Sequence, residues 1–280
     1  RWTELPAEAV LILHWRREPH HVRMLAEPRF RVLSITRHPL DVLISILHFT
    51  LRETTDGWLR GQDGGERTIL GACPRSPEFL DYARSPRAAS LLRVTPDWYA
   101  EPACVRVSYE RLCADPRAEL ERITHALGTL PRRSLEDALA AGSLPSLRGQ
   151  FPERTYHFWQ GRPGLWRELL TVAEVEAIEA AHGPLFEELG YTCDADPALS
   201  ADAADARWRE LLGIPAGADP TLVVLREALF ALKRDLERTR HRLAEVEAVG
   251  PVLLGLARRM KEISVRWPRL ARCLRALFRR

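Results

Sequence analysis

The chain has no closely spaced pair of cysteines. Its five, Cys73, Cys104, Cys113, Cys193 and Cys273, are odd in number and scattered, with no C-x-x-C among them. This argues against a disulfide framework and a zinc ribbon, and predicts reduced, mostly buried thiols in a cytoplasmic protein. No apolar run approaches the ~18 residues that a membrane-spanning helix needs. No cluster of His, Cys and carboxylates stands at metal-ligand spacing, so no metal is expected. A signal peptide is missing too, but the chain opens Arg1-Trp2-Thr3 without Met. An upstream segment is therefore expected, and the missing signal carries little weight.

What is present is globular in character, with 46% hydrophobic and 28% charged residues over 280 positions. That length predicts one large domain with an appendage. The net charge of +3 is unevenly spread: from Val252 to Arg280 nine Lys or Arg face the single acid Glu262, a local +8, which leaves the body near −5. The basic character belongs to the tail and not to the body.

Ala9–Leu13 and Phe30–Thr36 are short apolar runs that predict buried parallel strands, with a helix over Glu18–Ala26 crossing between them. A helix is expected from Asp41 to Leu51. A third strand comes next over Ala103–Tyr109, with helices around 77–84, 88–98, 115–127 and 173–189, the last two ended by Gly128 and Gly190. The alternation predicts an α/β domain whose parallel sheet is flanked by helices. Glu53–Arg75, rich in Gly, Asp and Thr, reads as a long loop able to shape a substrate pocket. The body is expected over 1–193 and a linker over 194–218.

Beyond Pro220 the pattern changes. Leu222, Leu225, Leu229, Leu232, Leu236, Thr239, Leu243 and Val246 keep alternating spacings of three and four, which predicts a coiled-coil-like helix over 219–249. Self-association through that seam is preferred to packing back on the body. Gly250-Pro251 interrupts it, and 250–280 predicts a basic amphipathic helix. Its apolar side, with Trp267 and Phe278, favours an anionic membrane surface, which would make the protein peripheral there. No base-reading motif supports nucleic acid as a partner.

The chemistry concentrates at Arg37-His38-Pro39-Leu40-Asp41. Arg37 follows a strand at the carboxyl end of a parallel sheet, where α/β folds place ligands. Asp41 is positioned to cap the helix that carries Ser45. A guanidinium, helix amides and a hydroxyl addressed to one point suit a phosphate. An ordinary strand-to-helix turn with a salt-bridged arginine would read the same way. His14, at the end of the preceding predicted strand, could serve as a general base, although a lone histidine is more often exposed or structural.

Taken in order, these segments resemble the cytosolic and bacterial sulfotransferase family. Thr36–Phe49 is similar to its R-x-P-x-D-V-x-x-S-x-x-x-F signature, with Arg37 and Ser45 on the two positions that hold the donor's 3′-phosphate. His14 falls at the catalytic histidine. Val107–Leu112, followed by Ala114-Asp115-Pro116, matches the segment whose tyrosine, here Tyr109, lies near the nucleotide. Gly142–Leu147, with Ser143, is similar to the segment that packs on adenine. Gly161-Arg162-Pro163-Gly164-Leu165-Trp166-Arg167 resembles the motif that closes over the 3′-phosphate. The likeness runs from His14 to about Tyr191.

The resemblance implies a P-loop-NTPase-like fold and transfer of a sulfuryl group from 3′-phosphoadenosine-5′-phosphosulfate to a hydroxyl or amine of a small molecule, glycan or lipid, without a metal. Three departures stand out. Trp159-Gln160 occupies the family's Arg-Lys, leaving Arg162 to supply charge. Leu144 replaces a phenylalanine. The P-loop-like turn for the 5′-phosphosulfate has no counterpart, so the sequence reads as a fragment not expected to turn over. The alternative is a catalytically impaired nucleotide-binding or scaffolding protein of the same fold that works through its helical tail. A P-loop kinase relative would need a Walker lysine and magnesium-binding acids, which are not found.

Overall fold

The computed structural model describes residues 10–12, 14–27, 30–51, 65–128, 134–151, 157–215 and 239–240. The coiled-coil seam, apart from two exposed helical residues at 239–240, the basic helix over 250–280 and most of the Glu53–Arg75 loop lie outside them. The chain divides into two compact units, Arg1–Ala228 and Leu229–Arg280.

The first unit is mostly helical around a small parallel sheet, broadly α/β. Strand β1 (Leu33–Thr36) pairs in parallel with β2 (Val105–Ser108), Leu33 opposite Val105 and Thr36 opposite Ser108. A short helix, α1 (Pro19–Leu25), precedes the sheet and contributes no buried residue. Between the strands run α2 (Pro39–Thr50), α3 (Pro77–Ala83), α4 (Pro86–Leu92) and α5 (Val94–Trp98). After β2 come α6 (Tyr109–Ala114), α7 (Pro116–Leu127), α8 (Leu135–Gly142), α9 (Leu144–Gln150), α10 (Val172–Leu189) and α11 (Ala201–Leu211).

Local sequence explains many of these boundaries. Ser76-Pro77, Ser85-Pro86 and Asp115-Pro116 each set a capping oxygen before a proline that needs no hydrogen bond. Their side chains accept from Phe79, Ala88 and Ala118 amides at 3.2, 3.2 and 3.0 Å. Gly190 ends α10 at φ 71°, and Tyr191 N–H reaches back to the Phe186 carbonyl at 2.9 Å. That left-handed residue turns Tyr191 and Thr192 towards His38, the residue before α2.

The core is built around α2. Leu40, Leu43, Ile44 and Leu47 are fully or almost fully buried against a set that includes Ile69, Phe79, Trp166, Leu170, Ile178 and Phe186. A helix so apolar on most of its circumference belongs inside, and its polar residues there need partners.

Three expectations differ from what is observed. The predicted strand over Ala9–Leu13 is without regular secondary structure at Val10, Leu11 and Ile12, with Val10 88% and Ile12 87% exposed. A parallel strand forms only when a neighbour completes its ladder, and β1 has β2 as its partner among the described residues. The predicted linker over 194–218 contains α11, whose Trp208 is buried in the core and meets Trp159 edge to face. Finally, β1 buries Ser34 and Thr36 while Leu33 and Ile35 stay 38% and 49% exposed. Thr36 gains partners, donating to the Val107 carbonyl and accepting from Tyr99.

Candidate functional site

The site begins where β1 ends. His38 caps α2: its Nδ1 accepts from the Leu40 amide at 3.3 Å, so Nε2 carries the hydrogen and donates to the Thr192 carbonyl at 3.0 Å. Its ring stacks on Trp166 at 4.8 Å. Burial holds the imidazole below its ordinary value, only partly opposed by the Thr192 carbonyl and the Asp41 charge. A neutral ring is what both hydrogen bonds require.

Asp41 is therefore not the cap expected of it. It sits in the first turn of α2, fully buried, and accepts from two backbone amides far along the chain, Gly164 at 2.6 Å and Trp166 at 3.1 Å. The carboxylate fastens the Gly161–Arg167 turn onto the start of α2. Gly161 and Gly164 adopt φ 64° and 78°, which L side chains avoid. At Gly161 a side chain would also meet Leu144 at 3.0 Å, so Leu144 packs directly on the turn.

Arg37 is held loosely from below. Its Nε lies 3.9 Å from Asp41, and its guanidinium covers the Tyr109 ring at 4.7 Å. Nε is buried yet has no hydrogen-bond partner. Burial pushes the Tyr109 phenol up to about 12 against the opposing pull of Arg37, so the ring stays neutral beneath the cation. Cys113 lies beside that phenol and donates to the Gly161 carbonyl at 3.8 Å. Ser45, half-buried, is one helical turn on from Asp41 along the same face of α2.

Glu110 braces the arrangement. It accepts from the His38 amide, the Tyr191 hydroxyl and the Ser108 hydroxyl, each at 2.8 Å. Burial would raise its carboxyl, but these donors outweigh burial and hold it below the usual range. A cavity of about 330 Å³ opens beside this brace, lined by His38, Asp41, Glu110, Trp166 and Arg167 among others, while Arg37, Ser45 and Tyr109 do not face it.

The structure thus gathers Arg37, Tyr109 and the Gly161–Gly164 turn into linked contacts, with Leu144 against the turn. Ser143 is exposed and donates to the Ala140 carbonyl at the end of α8. Arg162 is paired with Glu168 at 2.6 Å, and Glu168 also meets Arg207. Trp159 stacks on His48 at 3.9 Å. His14 is exposed and is not joined to these residues. Its neighbour Trp15 accepts from the Trp98 indole at 2.8 Å, and Arg17 donates to Glu101 at 2.6 Å. Glu101 opens the turn into the amino end of β2, whereas Arg37 follows the carboxyl end of β1. Sequence reasoning missed Glu110 and the long reach of Asp41. An acid directly after Tyr109 was the available signal for Glu110.

No family model matches this chain, and no curated protein matches it. No helix among the described residues is long and apolar enough to cross a membrane. The arrangement itself is a guanidinium whose Nε makes no hydrogen bond but is ion-paired with Asp41 at the end of a parallel strand, and Asp41 links it to a positive-φ glycine turn.

Proposed function

We propose that the chain carries the 3′-phosphate half of a sulfotransferase-type donor site, for 3′-phosphoadenosine-5′-phosphosulfate. The observation that carries this reading is the pair of hydrogen bonds from Gly164 and Trp166 to Asp41. They join two segments that the resemblance assigns to the 3′-phosphate. Arg37, whose Nε makes no hydrogen bond, would offer its fork to the 3′-phosphate, with the Ser45 hydroxyl and the Gly161 and Arg162 amides as further donors. Tyr109 and Leu144 would flank the nucleoside. The bound nucleotide would supply the activated sulfuryl group. The resemblance assigns the proton of an acceptor hydroxyl or amine to His14, but its neighbours Trp15 and Arg17 are tied near the amino end of β2, at the opposite end of the sheet from Arg37. The residues named fit the 3′-phosphate, and no Gly-rich cradle for the 5′-phosphosulfate is found in the sequence.

Calorimetric titration of the full chain tests this reading. Adenosine 3′,5′-bisphosphate should bind more tightly than adenosine 5′-monophosphate by roughly 10-fold or more, as one charged hydrogen-bonded pair predicts, and Arg37→Ala should abolish the preference. Equal affinity for the two nucleotides would overturn it.

A binding-only protein of the same type is the second reading. His14 beside a segment tied to Trp98 and Glu101, and Arg162 committed to Glu168, favour it. Transfer of label from the donor to any acceptor in a panel supports the enzyme. Bisphosphate binding with no transfer, in a chain that also holds a cradle for the 5′-phosphosulfate, supports the second reading.

A further inference from the structure

Outside this site, one cluster of ligating side chains stands out. Glu18, His20 and His21 each bring one donor atom within 4.8 Å of the other two, just ahead of and within the first turn of α1. Two imidazoles and a carboxylate are the donor set that favours zinc and its neighbours among the first-row divalent ions over magnesium or calcium. The sequence pattern gave no sign of a metal cluster because the three ligands stand closer together than the usual ligand spacings.

Two further observations concern the orientation of the ligands. His21 Nδ1 contacts the Arg16 carbonyl at 2.9 Å, which can only accept, so Nδ1 holds the hydrogen and Nε2 keeps its lone pair. A ligating histidine fixed through its other nitrogen by a backbone carbonyl is the usual outer-shell arrangement of metal sites. The His21 ring is also stacked on Trp15 at 4.3 Å and 16°, which restricts its rotation. His20 Nδ1 lies 3.3 Å from Glu18, so carboxylate and second imidazole are already adjacent.

We infer that Glu18, His20 and His21 bind one divalent transition-metal ion, zinc foremost, with water completing the coordination. Zinc bonds of ~2.0–2.1 Å in a tetrahedron require donor atoms about 3.3 Å apart. The spacing must therefore contract, which the exposed Glu18 and His20 side chains allow by rotation. The dipole of α1 opposes a cation at its first turn, and the Glu18 carboxylate offsets that. Seven residues with no buried side chain make a marginal helix, so the ion would act as a staple for residues 15–25. This inference is independent of the nucleotide reading.

The test is titration of the full chain with Zn²⁺, and with Co²⁺ for its visible spectrum, against the double variant His20→Ala/His21→Ala. His20 is exposed and His21 half-buried, and an unchanged far-ultraviolet circular dichroism spectrum checks that the variant folds. The wild type should bind one more equivalent than the variant, and each single alanine should weaken that equivalent by ~10-fold or more. Amides of α1 should gain hydrogen-exchange protection with Zn²⁺ in the wild type alone. Identical isotherms for wild type and double variant would overturn the inference, as would Zn²⁺ binding to cysteines only, seen as full loss on thiol alkylation.

Discussion

His38 and Asp41 show how far a residue's role can lie from its local pattern. Asp in the first turn of a helix suggested a cap, yet the cap is His38, and Asp41 serves amides over a hundred positions away. Nothing within a window of neighbouring residues distinguishes these outcomes. The choice follows from burial, because a fully buried carboxylate must find donors wherever the fold supplies them. His38 has a consequence for pH. Its imidazole is held below the ordinary value of 6.5, so below that value the unfolded chain binds more protons than the folded one. Stability should therefore fall as pH drops through and below 6.5, then again below 4.5 as Glu110, also held low, is protonated. Thermal midpoints measured from pH 8 to 4 check this. His38→Ala should be less stable overall and should lose the upper step, and persistence of that step in the variant would assign it to another group.

At the scale of elements, the Gly161–Arg167 turn and the helices beside it make contrasting predictions. Gly164 adopts φ 78° with its amide bound to Asp41, and alanine there should cost about 1–3 kcal/mol. Gly149 lies within α9 with open space around it, and alanine there should stabilise by roughly 0.5–1 kcal/mol. Urea unfolding of both variants compares two glycines of the same chain. Strand and helix positions were largely legible: β1, β2, α2, α7 and α10 fall inside or close to the predicted segments, because apolar periodicity and caps act locally. Residues 9–13 look like a strand by composition, but strand formation needs a neighbour that composition cannot supply. Helix α11 was hidden in a stretch rich in Asp and Ala, and its buried Ala204 and Trp208, with the Arg207–Glu168 pair, tie it to the body. Among the site residues, Arg37, Tyr109 and Gly161 were legible as motif positions, whereas the Glu110 brace depends on Tyr191 and His38 arriving from other elements.

Considered as a whole, the first unit is drawn together by the bonds from Asp41 to Gly164 and Trp166. They span 123 and 125 residues of chain. Closing a loop of that length costs roughly 4 kcal/mol of chain entropy, which neighbouring contacts must largely offset before the two bonds hold. This has a kinetic meaning: the turn can join α2 only after most of the intervening helices have collapsed, so the candidate site should be among the last features to form. It also makes the site a gauge of the finished fold. The Gly164 and Trp166 amides should exchange with solvent at rates set by opening of the body as a whole, alongside the amides of α2 and α10 and far slower than those of α1. Native-state hydrogen exchange at rising denaturant checks this, and early exchange at 164 and 166 would mean that the turn opens by itself. If they are protected together, a partly unfolded chain lacks the candidate site altogether, and capture by the proposed nucleotide would count completed molecules.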